Sequence, residues 1–246
     1  MSEPRFGVSS RLFHDARLSR DHLVHIAAHG FDAVELFARR SHFDYTSESA
    51  GLELAEWLSD TRLALHAVHA PVDEGTDAID DLLALTRHVP FPFLVLHPDL
   101  VSENTLPALA ERAAMVGVRV ALEVQNDPSA DAAALVHLIE ERLEDTDVGI
   151  CLDFGHAHLS GDLGEAIETV SGHMFTTHVH DNRGRRDEHL VPYSGSIQWE
   201  SAMMETQKIG YDGVLMFEPV SGDDPVEVLK QSVKARERLE RAFVTF

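Results

Sequence analysis

Short apolar runs alternate with longer amphipathic segments along the whole chain. A short apolar run bounded by Gly, Pro and polar residues is typical of a buried strand, and apolar residues at helical spacing are typical of a helix packed on one side. The sequence predicts eight strands, at residues 6–9, 33–37, 63–69, 93–97, 118–124, 148–152, 174–179 and 213–217. It predicts helices at residues 19–30, 47–60, 76–88, 102–116, 129–143, 163–170, 198–209 and 225–244. Eight strand–helix units in 246 residues favour an α/β fold, a (β/α)8 or TIM barrel forming one domain over residues 1–246, with a doubly wound sheet as the alternative.

Polar residues at the predicted strand ends fall on one face of their strands. Because successive side chains of a strand point to opposite faces, residues two apart share a face. The opposite face carries larger and more apolar residues, which suits packing beneath helices. This alternation places Leu65 on the face of His69, and Phe175 on the opposite face. The polar residues predicted to face the barrel interior at the C-terminal strand ends, where such barrels build their active sites, are Glu35, His69, His97, Glu123, Asp153, His178 and Glu218.

The stretch at residues 149–162, GICLDFGHAHLSGD, combines a strand end with two candidate metal ligands. Ile150, Cys151 and Leu152 predict a buried strand, and the Gly and polar residues that follow predict its exit loop. Asp153 and His156 lie in that loop. Carboxylate and imidazole together suit a divalent metal ion, so this stretch is a candidate part of a metal site.

Four strand-end residues make up a ligand set of three carboxylates and one imidazole: Glu123, Asp153, His178 and Glu218. Three carboxylates in one barrel mouth repel one another, and burying each without a partner costs several kcal/mol. A divalent cation removes that penalty, and this donor set suits Mn²⁺, Mg²⁺, Co²⁺ or Zn²⁺. We therefore predict a metal site here. Three other histidines are interpreted as structural or surface residues, namely His66, His158 and His173.

The net charge of −22 disfavours nucleic acid as a partner, because a polyanion would be repelled by the average surface field. The single cysteine, Cys151, lies in an apolar run and is predicted to be a buried core residue. The first residues lack the pattern of a signal peptide, and no apolar run approaches the ~20 residues of a membrane span. We therefore expect a cytoplasmic protein without a membrane partner, and leave open whether it forms a homo-oligomer.

Eight short motifs are spread over nearly the whole chain: GFDAVELF at 30–37, HAP at 69–71, LVLHP at 94–98, ALEVQN at 121–126, CLDFGHAH at 151–158, HVHDN at 178–182, RDEH at 186–189 and FEP at 217–219. Together they resemble the xylose isomerase-like (β/α)8 superfamily. That superfamily contains sugar isomerases and epimerases, and also abasic-site nucleases of the endonuclease IV type. The motifs identify the superfamily more specifically than they identify any one member.

The resemblance implies two ligand patterns. In the sugar isomerases and epimerases one metal ion is held by two Glu, one Asp and one His, which correspond to Glu123, Glu218, Asp153 and His178 here. In the nucleases three zinc ions use nine ligands, and the additional positions correspond to His69, His97, His156, Asp187 and His189. One ion is therefore expected, and up to three are compatible with the residues present.

The favoured function is isomerisation or epimerisation of a small sugar or a sugar-derived ketone. The resemblance implies that Glu123 and Glu218 act as a base/acid pair on an enediolate, and that His156 holds a substrate hydroxyl. One alternative is a multi-zinc phosphodiesterase acting on abasic DNA, against which the acidic charge argues. A dehydratase of inositol-derived ketones would use nearly the same site. Further candidates for substrate contact are Glu35, His180, Arg183 and Arg186.

Overall fold

The computed structural model describes residues 4–220 and 224–244. Its strands are β1 (Arg5–Ser9), β2 (Ala33–Phe37), β3 (Ala64–His69), β4 (Phe93–Leu96), β5 (Arg119–Glu123), β6 (Val148–Asp153), β7 (Met174–His178) and β8 (Val214–Phe217). Its α-helices are α1 (Arg20–Ala28), α2 (Glu48–Thr61), α3 (Asp77–Ala84), α4 (Leu106–Met115), α5 (Ala132–Arg142), α6 (Phe154–Ser160), α7 (Leu163–Thr169), α8 (Trp199–Lys208) and α9 (Pro225–Val244). Strand and helix alternate, so the predicted (β/α)8 barrel is confirmed.

The strands form one parallel sheet in the order β7-β6-β5-β4-β3-β2-β1-β8, which curls into a nearly closed barrel. A short seam joins β7 to β8. At the upper part of this seam the Val179 amide donates to the Met216 carbonyl at 2.7 Å. Lower down, the Thr177 hydroxyl donates to the Val214 carbonyl at 3.1 Å and accepts from the Met216 amide at 3.3 Å. A side chain thus replaces part of the backbone ladder where the barrel closes.

Two hydrophobic layers stabilise the barrel. The outer layer lies between strands and helices and includes Leu23 and Leu54 from the helices and Leu94 and Leu122 from the strands. The layer inside the barrel is built from smaller residues, namely Ala67, Val95, Ala121 and Cys151, and Phe93 and Phe175 pack against them. Small side chains suit the interior because an eight-stranded barrel leaves room only for closely packed side chains. Cys151 is buried, as predicted.

Two register shifts correct the predicted alternation of strand faces. The pairing of β2 with β3 shifts between Val34 and Glu35, and that of β6 with β7 shifts between Ile150 and Cys151. Leu65 consequently lies in the outer layer rather than on the face of His69. Phe175 packs in the inner layer rather than on the helix-covered face. An extra residue in one strand reverses the face of everything before it, and strict alternation cannot anticipate this.

The segment after β6 corrects a second prediction, because the expected exit loop is the helix α6. Asp153 is the N-cap of this helix, and its Oδ1 accepts the amide hydrogen of His156 at 2.8 Å. Phe154 is buried at the start of α6 and stacks on Trp199 at 5.8 Å between ring centroids. The seven-residue segment contains a glycine and two histidines, so it lacks the apolar periodicity from which longer helices are predicted.

The remaining differences from the prediction are at element ends. The predicted helix at 102–116 starts only at Leu106, because Ser102 and Thr105 form a hydrogen-bonded turn before it. None of the helices in the described part of the chain combines the length and apolar character needed to cross a membrane.

Candidate active site

The four predicted metal ligands converge at the C-terminal end of the barrel. One ligand atom from each of Glu123, Asp153, His178 and Glu218 lies within 4.8 Å of the corresponding atoms of the other three. Nδ1 of His178 is 2.6 Å from Glu123 Oε1 and 3.8 Å from both Asp153 Oδ2 and Glu218 Oε2. All four residues are buried. They end four different strands or directly follow one, so the parallel topology brings them to one edge of the sheet.

Electrostatic interactions keep the two glutamates ionised. Burial would raise the pKa of Glu123, but the positive charges of His69 and His178 outweigh it and hold this pKa below its usual range. Burial is likewise outweighed at Glu218, where the Arg11 guanidinium and then His178 hold the pKa well below normal. Both side chains are therefore carboxylates at neutral pH, as a proton acceptor must be.

Glu35 contacts His178 on the side of the ring that faces away from the other three ligands. Its Oε2 lies 2.9 Å from His178 Nε2, so the two carboxylates of Glu35 and Glu123 contact opposite nitrogens of the same ring. Glu35, a predicted candidate for substrate contact, is fully buried, and its contact in the structure is with His178. A carboxylate on the far nitrogen of a ligating histidine fixes its tautomer and leaves the other nitrogen free to bind metal. Glu35, His69, His178 and Glu218 also form a second group of ligand atoms within 4.8 Å of one another.

Several buried polar atoms at this centre have no hydrogen-bond partner among the described residues. They include Glu35 Oε1, His69 Nδ1 and Glu218 Oε1. Buried polar atoms are rarely left unpaired, because each unpaired atom costs free energy. A divalent cation would pair with such carboxylate oxygens and neutralise the excess negative charge. The donor set therefore fits a divalent metal ion.

A third group of ligand atoms lies beside the first and contains His156, His180, Asp187 and His189. The rings of His180 and His189 stack with centroids 3.8 Å apart, and Nε2 of His189 is 2.9 Å from Asp187 Oδ2. His180 is buried and contacts Asp153 at 3.0 Å, so it supports a predicted ligand of the first group. Burial opposes protonation of His156, but Asp153 and Asp187 raise its pKa to about 10.

The third group depends on the loop between β7 and α8. Asp181 in this loop is fully buried and accepts hydrogen bonds from the amides of Asn182, Gly195 and Ile197 and from the Trp199 indole at 2.8–3.2 Å. These contacts fold the loop back over the barrel, so that its tip reaches the mouth. His189 adopts a left-handed backbone conformation with φ of 44°, which residues other than glycine adopt uncommonly. This role of Asp181 was not predicted from the sequence.

Other predicted site residues lie farther from the centre. His97 is at the rim, with Nδ1 3.4 Å from Asp99 Oδ2, and it belongs to none of the three ligand groups found in the described residues. Arg183 and Arg186 are exposed and both pair with Glu188, at 2.6 and 3.4 Å. Neither arginine lines the pocket above the centre. The structure therefore does not bring these two arginines to the site.

Two residues of the site were missed by the sequence reasoning. Arg11 follows β1, and its Nη1 lies 3.1 Å from Glu218 Oε2. Gln125 follows β5 and donates to Glu123 Oε2 at 2.7 Å. Both line a pocket of about 440 Å³ that opens above the centre, a size suited to a small molecule. Each lies two residues beyond a strand's C-terminal end, which is the positional signal that could have identified it.

The sequence pattern of one protein family, described as the xylose isomerase-like TIM barrel, matches residues 23–239 of this chain. The chain belongs to this family. The resemblance inferred from the eight motifs is thereby confirmed, and the parallel eight-stranded barrel agrees with it.

Similar proteins include two relatives in sequence and two solved structures, and three of these four match nearly the whole chain. The uncharacterized protein MJ1311 of Methanocaldococcus jannaschii is 26% identical over 96% of this chain and 94% of its own length. A putative hydroxypyruvate isomerase of Streptomyces coelicolor is 30% identical over 66% of this chain and 54% of its own. A solved structure of a D-tagatose 3-epimerase-like protein is 25% identical, covers 97% of this chain and 96% of that one, and superimposes with a TM-score of 0.77. The IolI protein, solved with a zinc atom, covers 98% and 100% at 16% identity and a TM-score of 0.81. The fold is thus one that sugar epimerases and isomerases use.

Proposed function

We propose that this protein is a divalent-metal-dependent isomerase or epimerase of a small sugar or a sugar-derived ketone. The observation that carries the proposal is the convergence of Glu123, Asp153, His178 and Glu218 to within 4.8 Å beneath a small-molecule pocket. The similar proteins whose names state a D-tagatose 3-epimerase-like or a hydroxypyruvate isomerase activity support the reaction class. The zinc atom in IolI supports a metal ion, and Mn²⁺, Zn²⁺, Mg²⁺ and Co²⁺ all suit the donors.

Glu123, Asp153, His178 and Glu218 would hold the cation, which supplies Lewis-acid polarisation of a carbonyl oxygen and its neighbouring hydroxyl. One glutamate removes the proton from the carbon that carries the hydroxyl, and the C–H electron pair moves into an enediolate. The other glutamate takes up the proton of that hydroxyl and donates it to carbon, and the first glutamate passes its proton to the oxygen left as an alkoxide, so that both glutamates end ionised as they began. Return to the opposite face of the same carbon gives an epimer, whereas return to the former carbonyl carbon gives an isomer.

The two glutamates have different surroundings, which suits two different roles. Glu218 contacts the permanent cation of Arg11, and Glu123 contacts the neutral amide of Gln125. His69 and His156 line the pocket beside them, and in this proposal they hold substrate hydroxyls. His156 is oriented by the carbonyl of Val124, 3.0 Å from its Nδ1.

The proposal is tested by exchanging each glutamate for its amide. Glu123→Gln and Glu218→Gln should each lower proton exchange at the substrate carbon by about 100- to 10,000-fold, the usual contribution of a general acid or base. Exchange is measured by mass spectrometry as deuterium uptake from D₂O into a panel that includes D-tagatose and hydroxypyruvate. Glu111→Gln on the exposed surface of α4 is the matched control. Undiminished exchange in both variants, at equal metal content, would reject the assigned roles.

One observation favours a second function, a multi-zinc phosphodiesterase acting on abasic DNA. The group of His156, His180, Asp187 and His189 offers ligand atoms for an additional ion. Two observations weigh against this function: His97 joins no such group among the described residues, and the chain's net charge is −22. Metal analysis of the purified protein together with a cleavage assay on abasic duplex DNA separates the two. One ion with ketose turnover supports the isomerase, and three zinc ions with DNA cleavage support the phosphodiesterase.

A further inference from the structure

Arg11 places a permanent positive charge in the pocket wall beside the proposed reaction centre. The residue lies in a short 3-10 turn that follows β1, and the Ser9 hydroxyl accepts its backbone amide hydrogen at 3.4 Å. Its Nη1 is 3.1 Å from Glu218 Oε2 and 3.2 Å from His189 Nε2. The aromatic ring of Phe37 lies 5.9 Å from the guanidinium carbon. Packing and hydrogen bonds therefore hold this side chain against the mouth.

The guanidinium has more donors than its protein contacts use. Both contacts of Arg11 are made by Nη1, so Nε and Nη2 have no hydrogen-bond partner in the described part of the chain. The side chain is 31% exposed and lines the pocket above the ligand group. Neutralising Glu218 requires only one N–H group. The spare donors therefore point to a second acceptor that enters through the pocket.

We infer that the substrate is an anionic α-hydroxy ketone whose carboxylate or phosphate group is bound by Arg11. This inference rests on the proposed function, since it names the substrate class of that reaction. A planar guanidinium with several parallel N–H groups matches carboxylate and phosphate oxygens in pairs, and does so better than it matches an isolated sugar hydroxyl. Because Arg11 contacts Glu218 directly, an anionic group bound by Arg11 would lie next to the proposed acid/base residue.

Binding of an anionic group would also account for an arginine at this position of the pocket wall. The chain carries 42 acidic and 20 basic residues, and histidine or amide side chains would suffice to bind neutral hydroxyls. Arg39, the other arginine of the pocket wall, is half-exposed and already paired with Asp73 at 2.6 Å. Of the two arginines that line the pocket, Arg11 is therefore the one whose Nε and Nη2 donors can bind a substrate.

The test compares three probes that share one hydroxyketone core: neutral dihydroxyacetone, the carboxylate hydroxypyruvate and dihydroxyacetone phosphate. Their dissociation constants are measured by calorimetry on the zinc-loaded protein. We expect at least one of the two anions to bind 10-fold or more tighter than dihydroxyacetone, and the better of the two identifies the anionic group. Arg11→Gln should weaken that anion by about 10- to 100-fold, the range for a hydrogen bond to a charged group, and change dihydroxyacetone by less than about twofold.

Two control variants locate the effect. Arg112→Gln removes an exposed arginine of α4 that pairs with Asp80, so it matches the loss of charge away from the pocket. Arg39→Gln removes the rim arginine. Zinc affinity is measured for every variant, because an anion can also bind the metal directly. Equal affinity of all three probes, an anion preference that survives in Arg11→Gln, or a preference lost only in Arg39→Gln would each overturn the inference.

The outcome also separates this inference from the proposed function. If deuterium enters a probe but no preference for anions depends on Arg11, the isomerase proposal stands and the anionic substrate is rejected. An Arg11-dependent preference without deuterium uptake into any probe or ketose supports an anion site and rejects the isomerase proposal.

Discussion

The upper and lower parts of the barrel interior are lined by the same strands but contain opposite kinds of side chain. At the mouth lie Glu35, Glu123, Asp153, His178 and Glu218. Two residues earlier on the same strands lie Ala33, Ala121, Cys151, Thr176 and Met216, which are all buried. The two-residue repeat of a strand therefore separates the acidic mouth from these packed residues, which form the floor of the barrel interior.

The two parts also differ in how completely their polar atoms are paired. On the floor, His66 contacts the Thr176 hydroxyl at 3.1 Å. At the mouth, carboxylate oxygens of Glu35 and Glu218 remain without partners in the described residues. Native proteins depart from full pairing mainly where function requires it. The floor is thus expected to set stability and the mouth to set ligand binding, and three variants test that division.

The largest expected effect is the pH dependence of folding stability that arises from His66 on the floor. Burial lowers the pKa of His66 to about 4, whereas the unfolded chain titrates near 6.5. Above pH 6.5 both states are neutral at His66, and between pH 6.5 and 4 only the unfolded state takes up the proton. Folding stability should therefore fall by about 3 kcal/mol over this window on account of His66, at about 1.4 kcal/mol per pKa unit.

Urea unfolding of the chelator-treated protein at several pH values measures this dependence. His66→Gln keeps a group able to contact Thr176 but does not titrate, so its stability should depend less steeply on pH. Identical pH dependence of the two proteins between pH 6.5 and 4 would contradict the prediction.

The next effect concerns the mouth. Glu35→Gln keeps an acceptor for His178 Nε2 but removes the negative charge 2.9 Å from it. Zinc affinity should fall by about 10- to 100-fold, the usual effect of losing a hydrogen-bonded partner of a ligating residue. Competition with a chromophoric chelator measures it, and urea unfolding of the metal-free protein checks the fold. Unchanged affinity would show that Glu35 does not support His178.

The smallest effect concerns the apolar layer. Val95→Ala removes two buried methyl groups from the inner cluster with Ala67 and Ala121. The free energy of unfolding should fall by about 1–2 kcal/mol, while zinc affinity stays within about twofold. Urea unfolding and the same chelator competition give the two numbers. A loss of zinc affinity in this variant as large as in Glu35→Gln would break the division between floor and mouth.

The positions of the strands and most of the centre could be predicted because they follow from local pattern. Glu123 and Asp153 end apolar runs, and parallel strands must place such ends on one edge. Leu65 and Phe175 were assigned to the wrong faces because a register shift depends on the neighbouring strand, which one strand's own sequence does not show. Pairing between strands is a property of the folded sheet.

Loop residues were harder to predict for a different reason. The positions of Asp187 and His189 depend on the buried contacts of Asp181, which join residues up to 18 apart. Arg11 contacts Glu218 across 207 residues of sequence. Neither contact has a periodic signal, and only the resemblance to the family indicated Asp187 and His189 in advance.

The seam between β7 and β8 has a consequence for the proposed metal. His178 ends β7 and Glu218 directly follows β8, so these two ligands lie on either side of the junction that Thr177 helps to close. A cation bound by both would cross-link the two edges of the sheet that meet to close the barrel. Binding and closure are then thermodynamically linked: loading the ion protects the amides along this junction from hydrogen exchange, and a tighter junction raises the affinity for the ion by the same factor.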